Sequence, residues 1–121
     1  MNNMIKLRIE GNRIGELVKF LSSCSSDDEN ICKASVTKEI GDRKVGFFVY
    51  EGLYLRIQTT VSCSVFLCQS GLDSCEMFVV GSGGATALGI TWGAQKDFEK
   101  KIAKHILEFA EEAGMKGHFL S

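Results

Sequence analysis

The longest helical pattern of the chain lies near its C-terminus and dictates what the remaining residues must supply. Between Ala94 and Ala113, apolar residues recur at steps of three and four, namely Phe98, Ile102, Ile106, Phe109 and Ala113, with Ala103 and Ala110 beside them. Residues with this spacing share one face of an α-helix, so the sequence predicts an amphipathic helix packed on an apolar surface. Gly114 follows at the position of a left-handed C-terminal cap, which predicts the helix end.

Alternating apolar and polar residues upstream predict the sheet on which this helix packs. Residues 4–10 place Ile5, Leu7 and Ile9 on one face, and further strands follow from Ile31 onward. Turn residues divide them at Gly41-Asp42-Arg43, at Glu51-Gly52 and at residues 70–73, and a last strand covers residues 74–80. Odd positions from Leu53 to Leu67 are apolar with no turn residue between them. We interpret them as one long, bent strand, with two short strands as the alternative.

A short helix precedes these strands. Asn12 is a good N-cap, and Ile14, Leu17, Val18 and Leu21 follow the helical spacing. The element order is therefore strand, helix, four strands in a meander, glycine-rich turn and long helix. Strands joined by tight turns are antiparallel, so the prediction is a single α+β domain over residues 1–121. A curved antiparallel sheet carries the short N-terminal helix and the long C-terminal helix on one face.

Composition narrows the class of protein. The 121 residues include 14 basic and 15 acidic ones, and this balance argues against a nucleic-acid-binding protein. The N-terminus lacks the apolar core of a signal peptide and no apolar run is long enough to span a membrane, which predicts a cytoplasmic protein. Five cysteines without a CxxC pair favour reduced, buried thiols over a metal site or redox pair.

The element order resembles the helix-grip architecture of START-like domains, in which a curved antiparallel sheet wraps around a long C-terminal helix. The chain also resembles small bacterial proteins of unknown function that share a glycine-rich turn, an aromatic-glycine pair (here Trp92-Gly93) and an amphipathic C-terminal helix. START-like domains bind lipids, steroids and other apolar small molecules, and a few are enzymes. The resemblance therefore implies ligand binding without specifying the ligand.

The glycine-rich segment Gly81–Gly84 has two interpretations. Amides of glycine turns bind anions, but no Gly-Lys-Ser/Thr follows, so the segment is not a phosphate-binding P-loop, and a simple connection is the favoured interpretation. Lysines crowd the first half of the long helix and glutamates its last turns. This order opposes the helix dipole, so a basic zone that attracts an anionic ligand is the functional alternative to a solvated helix face.

Two hypotheses for function follow. In the first, a non-enzymatic module holds a small apolar, amphipathic or anionic molecule between sheet and C-terminal helix. Its candidate contacts are the apolar Phe78, Trp92 and Phe98, the polar Arg56 and Lys96, and the glycines Gly83 and Gly84. In the second, the exposed sheet face forms a homodimer through Phe48, Tyr50, Tyr54 and Phe66. No catalytic residues, metal ligands or cofactor motif stand out, which makes an enzyme the less favoured class.

Overall fold

The computed structural model of the chain describes residues 4–23, 30–54, 59–83 and 94–120. These residues form, in order, β1 (Ile5–Glu10), α1 (Ile14–Ser23), β2 (Asn30–Ile40), β3 (Arg43–Tyr54), β4 (Thr59–Gly71), β5 (Ser74–Gly83), α2 (Ala94–Glu112) and β6 (Lys116–Phe119). Neighbouring strands pair antiparallel in the order β2-β3-β4-β5-β1-β6, so the sheet is open, with β2 and β6 at its edges. The predicted α+β class is confirmed.

The core lies between the two helices and one face of the sheet, which we call the inner face. Every second residue of the covered strands is buried there, as expected for a half-covered sheet. The buried strand residues are Leu7, Ile9, Phe48, Tyr50, Val61, Cys63, Val65, Leu67, Cys75, Met77 and Val79. The helices contribute Ile14, Leu17, Val18 and Leu21 from α1, and Phe98, Ile102, Ala103, Ile106 and Ala110 from α2. Both predicted apolar helix faces are confirmed as packing faces.

Phe109 lies at the edge of the α2 packing face and joins the two helices. Its ring stacks on Phe20 of α1, with 4.4 Å between ring centroids and 16° between ring planes. A stacked aromatic pair stabilises the fold by more than the burial of the two rings alone would give. The two helices therefore stabilise each other as well as the sheet.

The end of α2 follows the predicted cap. Gly114 has a φ of 80°, its amide donates to the carbonyl of Glu111 (3.0 Å), and the Met115 amide donates to the carbonyl of Ala110 (2.8 Å). This pair of bonds satisfies two of the last helical carbonyls, and the left-handed backbone that it needs is accessible to glycine. The cap returns the chain to the sheet, where β6 pairs with β1.

The N-terminus of α1 lies one residue beyond the predicted cap. The carbonyl of Arg13, and not that of Asn12, accepts the first helical hydrogen bond, from the Leu17 amide (3.1 Å). The Arg13 guanidinium bonds both carboxylate oxygens of Glu16 (2.6 and 2.7 Å) and also donates to the carbonyl of Ala113 (3.4 Å). The side chain thus joins the start of α1 to the end of α2.

The predicted turn at Glu51-Gly52 and the predicted single strand over Leu53–Leu67 are both wrong. β3 continues through Gly52, and its last pair with β4 is Tyr54 with Thr59, so the chain reverses between these two residues. Even-numbered positions of β3 face the helices, whereas odd-numbered positions of β4 do. The change from even-numbered to odd-numbered inward residues therefore occurs between Tyr54 and Thr59. The alternation of apolar and polar residues within each strand gives no sign of that change.

The predicted turn at Gly81–Gly84 is wrong over its described part. β5 extends through Gly83, which pairs with Val61 of β4, and Gly81 pairs with Cys63. Pairing with a long neighbouring strand overrides the low intrinsic strand preference of glycine. Gly84 lies outside the described residues.

The two remaining turns are confirmed. Ile40 pairs with Arg43 across a two-residue connection in which Gly41 has a φ of 67°, and Gly71 pairs with Ser74 at the next hairpin. Two-residue hairpins favour residues with positive φ, and glycine meets this requirement without steric cost.

Candidate functional site

The residues predicted to hold a ligand do not come together. Phe98 is fully buried between α2 and the inner face, whereas Phe78 alternates with buried neighbours on β5 and lies on the opposite, outer face. The sheet separates these two proposed walls of one pocket. Gly83 ends β5 opposite Val61. The other predicted contacts, apart from Lys96, lie outside the described residues, namely Arg56, Gly84 and Trp92.

Lys96 and the Gly81 amide bind a carboxylate of the chain itself. Glu99 is only 2% exposed, and its carboxylate accepts hydrogen bonds from the Gly81 amide (2.8 Å) and the Lys96 ammonium (3.2 Å). A buried carboxylate is costly without such partners. Sequence reasoning missed Glu99, although it precedes Ile102 and Ala103 by three and four residues and therefore shares their helix face.

An open apolar groove lies between α2 and the adjoining strands β1 and β6. Its volume is about 340 Å³, and its apolar lining consists of Ile5, Ala103, Leu107 and Phe119. Phe119 pairs with Leu7 and therefore faces the helices, yet it is 59% exposed. The end of β6 thus presents an aromatic side chain that α2 leaves uncovered.

Four charged residues form the rim of this groove, at helical steps of four, four and three along α2. They are Lys100, Lys104, Glu108 and Glu111. In the part of the chain that the structure describes, neither lysine takes part in an ion pair. The rim is therefore positive toward the N-terminal half of α2 and negative toward its C-terminal end, which is the unfavourable order with respect to the helix dipole.

The outer face carries different aromatic residues from those predicted. Phe48 and Tyr50 are fully buried on the inner face, where the Tyr50 hydroxyl donates to the carbonyl of Leu21 (2.6 Å). The pairing register explains the error, since Phe48 lies opposite Val65 and not opposite Phe66. The side chain of Tyr54, the last residue of β3, lies outside the described part of the structure.

Phe66 is exposed as predicted, and its true neighbours on the outer face are also apolar. A row of directly paired residues crosses the sheet as Val36, Phe47, Phe66, Phe78 and Lys6. Phe47 is 43% and Phe66 41% exposed, and the Phe66 and Phe78 rings stack with 6.1 Å between centroids. Sequence reasoning missed Phe47 because it took the opposite parity of β3 as the outward one.

Burial keeps two inner-face thiols protonated. Cys63 and Cys75 are fully buried, and desolvation raises the pKa of each to about 12, with the Glu99 charge adding to the effect at Cys63. A thiol must lose its proton to attack or to bind a metal ion. Cys68 lies on the outer face, half-buried. Within residues 4–23, 30–54, 59–83 and 94–120, no group of three or more His, Cys, Asp or Glu side chains is placed to hold a metal ion.

Comparisons with protein-family models, with curated proteins and with solved structures give no match. Of the helices that the structure describes, none has the length and apolar character to cross a membrane. The candidate sites for a function are therefore the groove and the outer face.

Proposed function

We propose that the chain binds a small amphipathic anion in the groove between α2 and the strands β1 and β6. The apolar part of the ligand lies on Leu107 and Phe119, and its carboxylate lies beside Lys100 and Lys104. The observation that carries this proposal is an uncovered apolar lining next to two ammonium groups that form no ion pair with the described residues.

The size and the charge order of the groove favour a linear ligand with one anionic end. A volume of about 340 Å³ lies near the lower limit for small-molecule sites. Lys100 and Leu107 are separated by a helical rise of about 10 Å, which suits a medium-chain fatty acid such as decanoate. Glu108 and Glu111 repel a carboxylate at the other end of the groove, so the rim also sets the direction of the ligand.

The order of charges along α2 supports a role in binding. Glu111 lies in the last turn of α2, where a negative charge is unfavourable to the helix dipole by a few tenths of a kcal/mol and no basic residue of that turn offsets it. Local arrangements that reduce stability are expected at functional sites. The structure places Lys100, Lys104, Glu108 and Glu111 of this arrangement on the rim of one groove.

Our interpretation of the chain as a cytoplasmic, non-enzymatic domain of the helix-grip type is part of the same proposal. Its support is the order of the elements together with the packing of both helices on one sheet face. The proposed ligand lies beside α2 and not beneath it. The buried side chains of Phe98, Ile102 and Ile106 occupy the space between the helix and the sheet.

The proposal is tested by isothermal titration calorimetry with decanoate and with decyltrimethylammonium, which has the same chain and the opposite charge. We expect decanoate to bind, and to bind more tightly than the cation. Lys100→Gln combined with Lys104→Gln is expected to weaken decanoate binding at least tenfold, and Phe119→Ser to weaken both ligands. Lys19→Gln, which removes an exposed lysine of α1 that does not line the groove, is the matched control and is expected to leave both affinities unchanged.

Two results would reject the proposal. One is the absence of decanoate binding at millimolar concentration, and the other is decanoate binding that survives both the double lysine substitution and Phe119→Ser. Equal affinity for the two ligands would reject the role of the lysines. Higher salt is expected to weaken decanoate binding, since the ammonium groups lie at an exposed rim.

A further inference from the structure

Over two neighbouring rows in its centre, the apolar pattern of the outer face is symmetric about β4, the third strand from one edge. In one row of paired residues, Phe66 of β4 lies between Phe47 of β3 and Phe78 of β5. In the next row, Ser64 of β4 lies between a valine on each side, Val49 and Val80. A rotation by 180° about an axis along β4 exchanges the positions of β3 and β5. It therefore places an aromatic residue on an aromatic one in the first row and a valine on a valine in the second.

Two-fold symmetric dimers require such a surface, because the same patch serves both subunits and each contact occurs twice. We infer that the outer face joins two copies of this chain, with the two-fold axis parallel to β4 and lying between the two sheets. Phe66 then meets Phe66 of the second copy, and Phe47 of each copy meets Phe78 of the other. The strands of the two sheets run nearly aligned, as in β-sandwiches.

The ends of the rows are less symmetric, because the axis places Val36 of one copy opposite Lys6 of the other and Val45 opposite Glu76. The two-fold axis brings Lys38 on β2 of one copy toward Arg8 on β1 of the other. Arg8 forms ion pairs of 3.3 Å with both Glu10 and Glu76, and one guanidinium beside two carboxylates leaves one excess negative charge. Lys38 therefore faces Arg8 itself, within a cluster whose net charge is negative.

The area of the face predicts a weak dimer. The three strands β3, β4 and β5 at a spacing of about 4.8 Å, with seven residues at about 3.3 Å each, give a face of roughly 330 Å² in projection. This exceeds an ordinary surface irregularity but is smaller than the roughly 800 Å² that each partner buries in a standard interface. We expect a dissociation constant in the micromolar range. The ligand groove lies on the helix side of the sheet, so the proposal of a dimer and the proposal of ligand binding can each be rejected without affecting the other.

Cysteine crosslinking tests the position of the axis. Cys68 lies on β4 in the row next to Phe66, so two copies place their Cys68 thiols close together. In a variant with Cys24→Ser and Cys32→Ser, a short bismaleimide is expected to yield covalent dimer, since Cys63 and Cys75 are buried. Adding Cys68→Ser is expected to abolish the product. If the copies instead joined edge to edge through β2, the two β4 strands would be about 24 Å apart and no product would form.

Analytical ultracentrifugation tests which residues carry the interface. Phe66→Glu is expected to raise the dissociation constant at least tenfold. Leu72→Glu, which places the same charge on an 82% exposed leucine in the β4–β5 turn, is expected to leave it unchanged. If circular dichroism shows that Phe66→Glu does not fold, Val80→Glu replaces it. A wild-type chain that is monomeric at 1 mM, or a dimer that tolerates both the Phe66 and the Val80 substitution, would overturn the inference.

Discussion

Phe47 and Phe48 are neighbours on β3, yet one is 43% exposed and the other is fully buried. They represent the two faces of the sheet, of which the inner is covered by α1 and α2 and the outer by no described element. Successive side chains of a strand point to opposite faces, so one residue step separates these environments. The comparison shows that apolar character alone does not identify the covered face.

The outer face is unusually apolar for a face that no described element covers. Along β3, outward Val45, Phe47 and Val49 are as apolar as inward Phe48 and Tyr50. Strands that are apolar on both faces are typical of sheets covered on both sides. The two faces therefore differ in whether the described helices cover them and not in apolar character, as the dimer that we propose would require.

The largest expected difference between the faces is the reactivity of their thiols. With Cys24→Ser, at pH 8 and low protein concentration, Cys68 on the outer face is expected to react at least a thousandfold faster with a thiol reagent than inner-face Cys63 and Cys75. Burial raises the pKa of Cys63 and Cys75 to about 12, so about one molecule in ten thousand is a thiolate at this pH. Mass spectrometry of the labelled peptides measures the rates. Comparable native rates would contradict the assignment of the faces.

The second difference is the cost of removing a phenylalanine ring. Phe48→Ala is expected to lower the free energy of unfolding by about 3–5 kcal/mol, since it leaves a cavity in the core. Phe47→Ala is expected to cost less than about 1 kcal/mol in the monomer, because this residue is already 43% exposed and its removal leaves no enclosed cavity. Urea denaturation at low protein concentration measures both. Equal costs would mean that the outer face is also covered within one chain.

A smaller effect is expected at the hydrogen bond between the inner face and α1. Tyr50→Phe retains the ring but leaves the Leu21 carbonyl without its buried donor at 2.6 Å. We expect a loss of about 1–2 kcal/mol in the free energy of unfolding. The same denaturation experiment measures it, with wild-type spectra as the control for unchanged structure. No loss would show that water replaces the hydroxyl at that carbonyl.

The smallest effect is expected at the solvated side of α1, which resembles the outer face in its exposure. The hydrogen bond from Arg13, followed by the favourable charges of Arg13 and Lys19, lowers the pKa of Glu16. A lowered carboxyl pKa stabilises the fold above the unfolded value near 4.5, and this contribution disappears as the pH falls through the folded value. Glu16→Gln is therefore expected to lower the melting temperature slightly at pH 7 and not at pH 2. An equal shift at both pH values would contradict an ionic origin.

The parts of the fold that depend on local spacing were predictable. Step sizes of three and four define α2 and α1 directly, because residues of one helix face are close in sequence, and the glycine cap at Gly114 is equally local. The strand β1 and the hairpin at Gly41 follow for the same reason. The basic zone of α2 was also predictable, since its lysines are only four residues apart.

The candidate site was not predictable as a whole. The groove brings Phe119 and Ile5 to Leu107 only because β6 pairs with β1, and these residues come from opposite ends of the chain. Helical spacing places Glu99 on the packing face of α2, but its partner, the Gly81 amide, comes from β5. Neither contact leaves a pattern within a window of neighbouring residues.

The sequence by itself determined the two helices with their packing faces and the α+β class, because periodicity and caps act between residues a few positions apart. Tertiary structure alone decided the register of β3 against β4, and with it which phenylalanine is core and which is surface. A strand with apolar residues on both faces satisfies the same alternation in either orientation. Only the helices that cover one face, and the hydrogen bonds that align β3 with β4, distinguish the two.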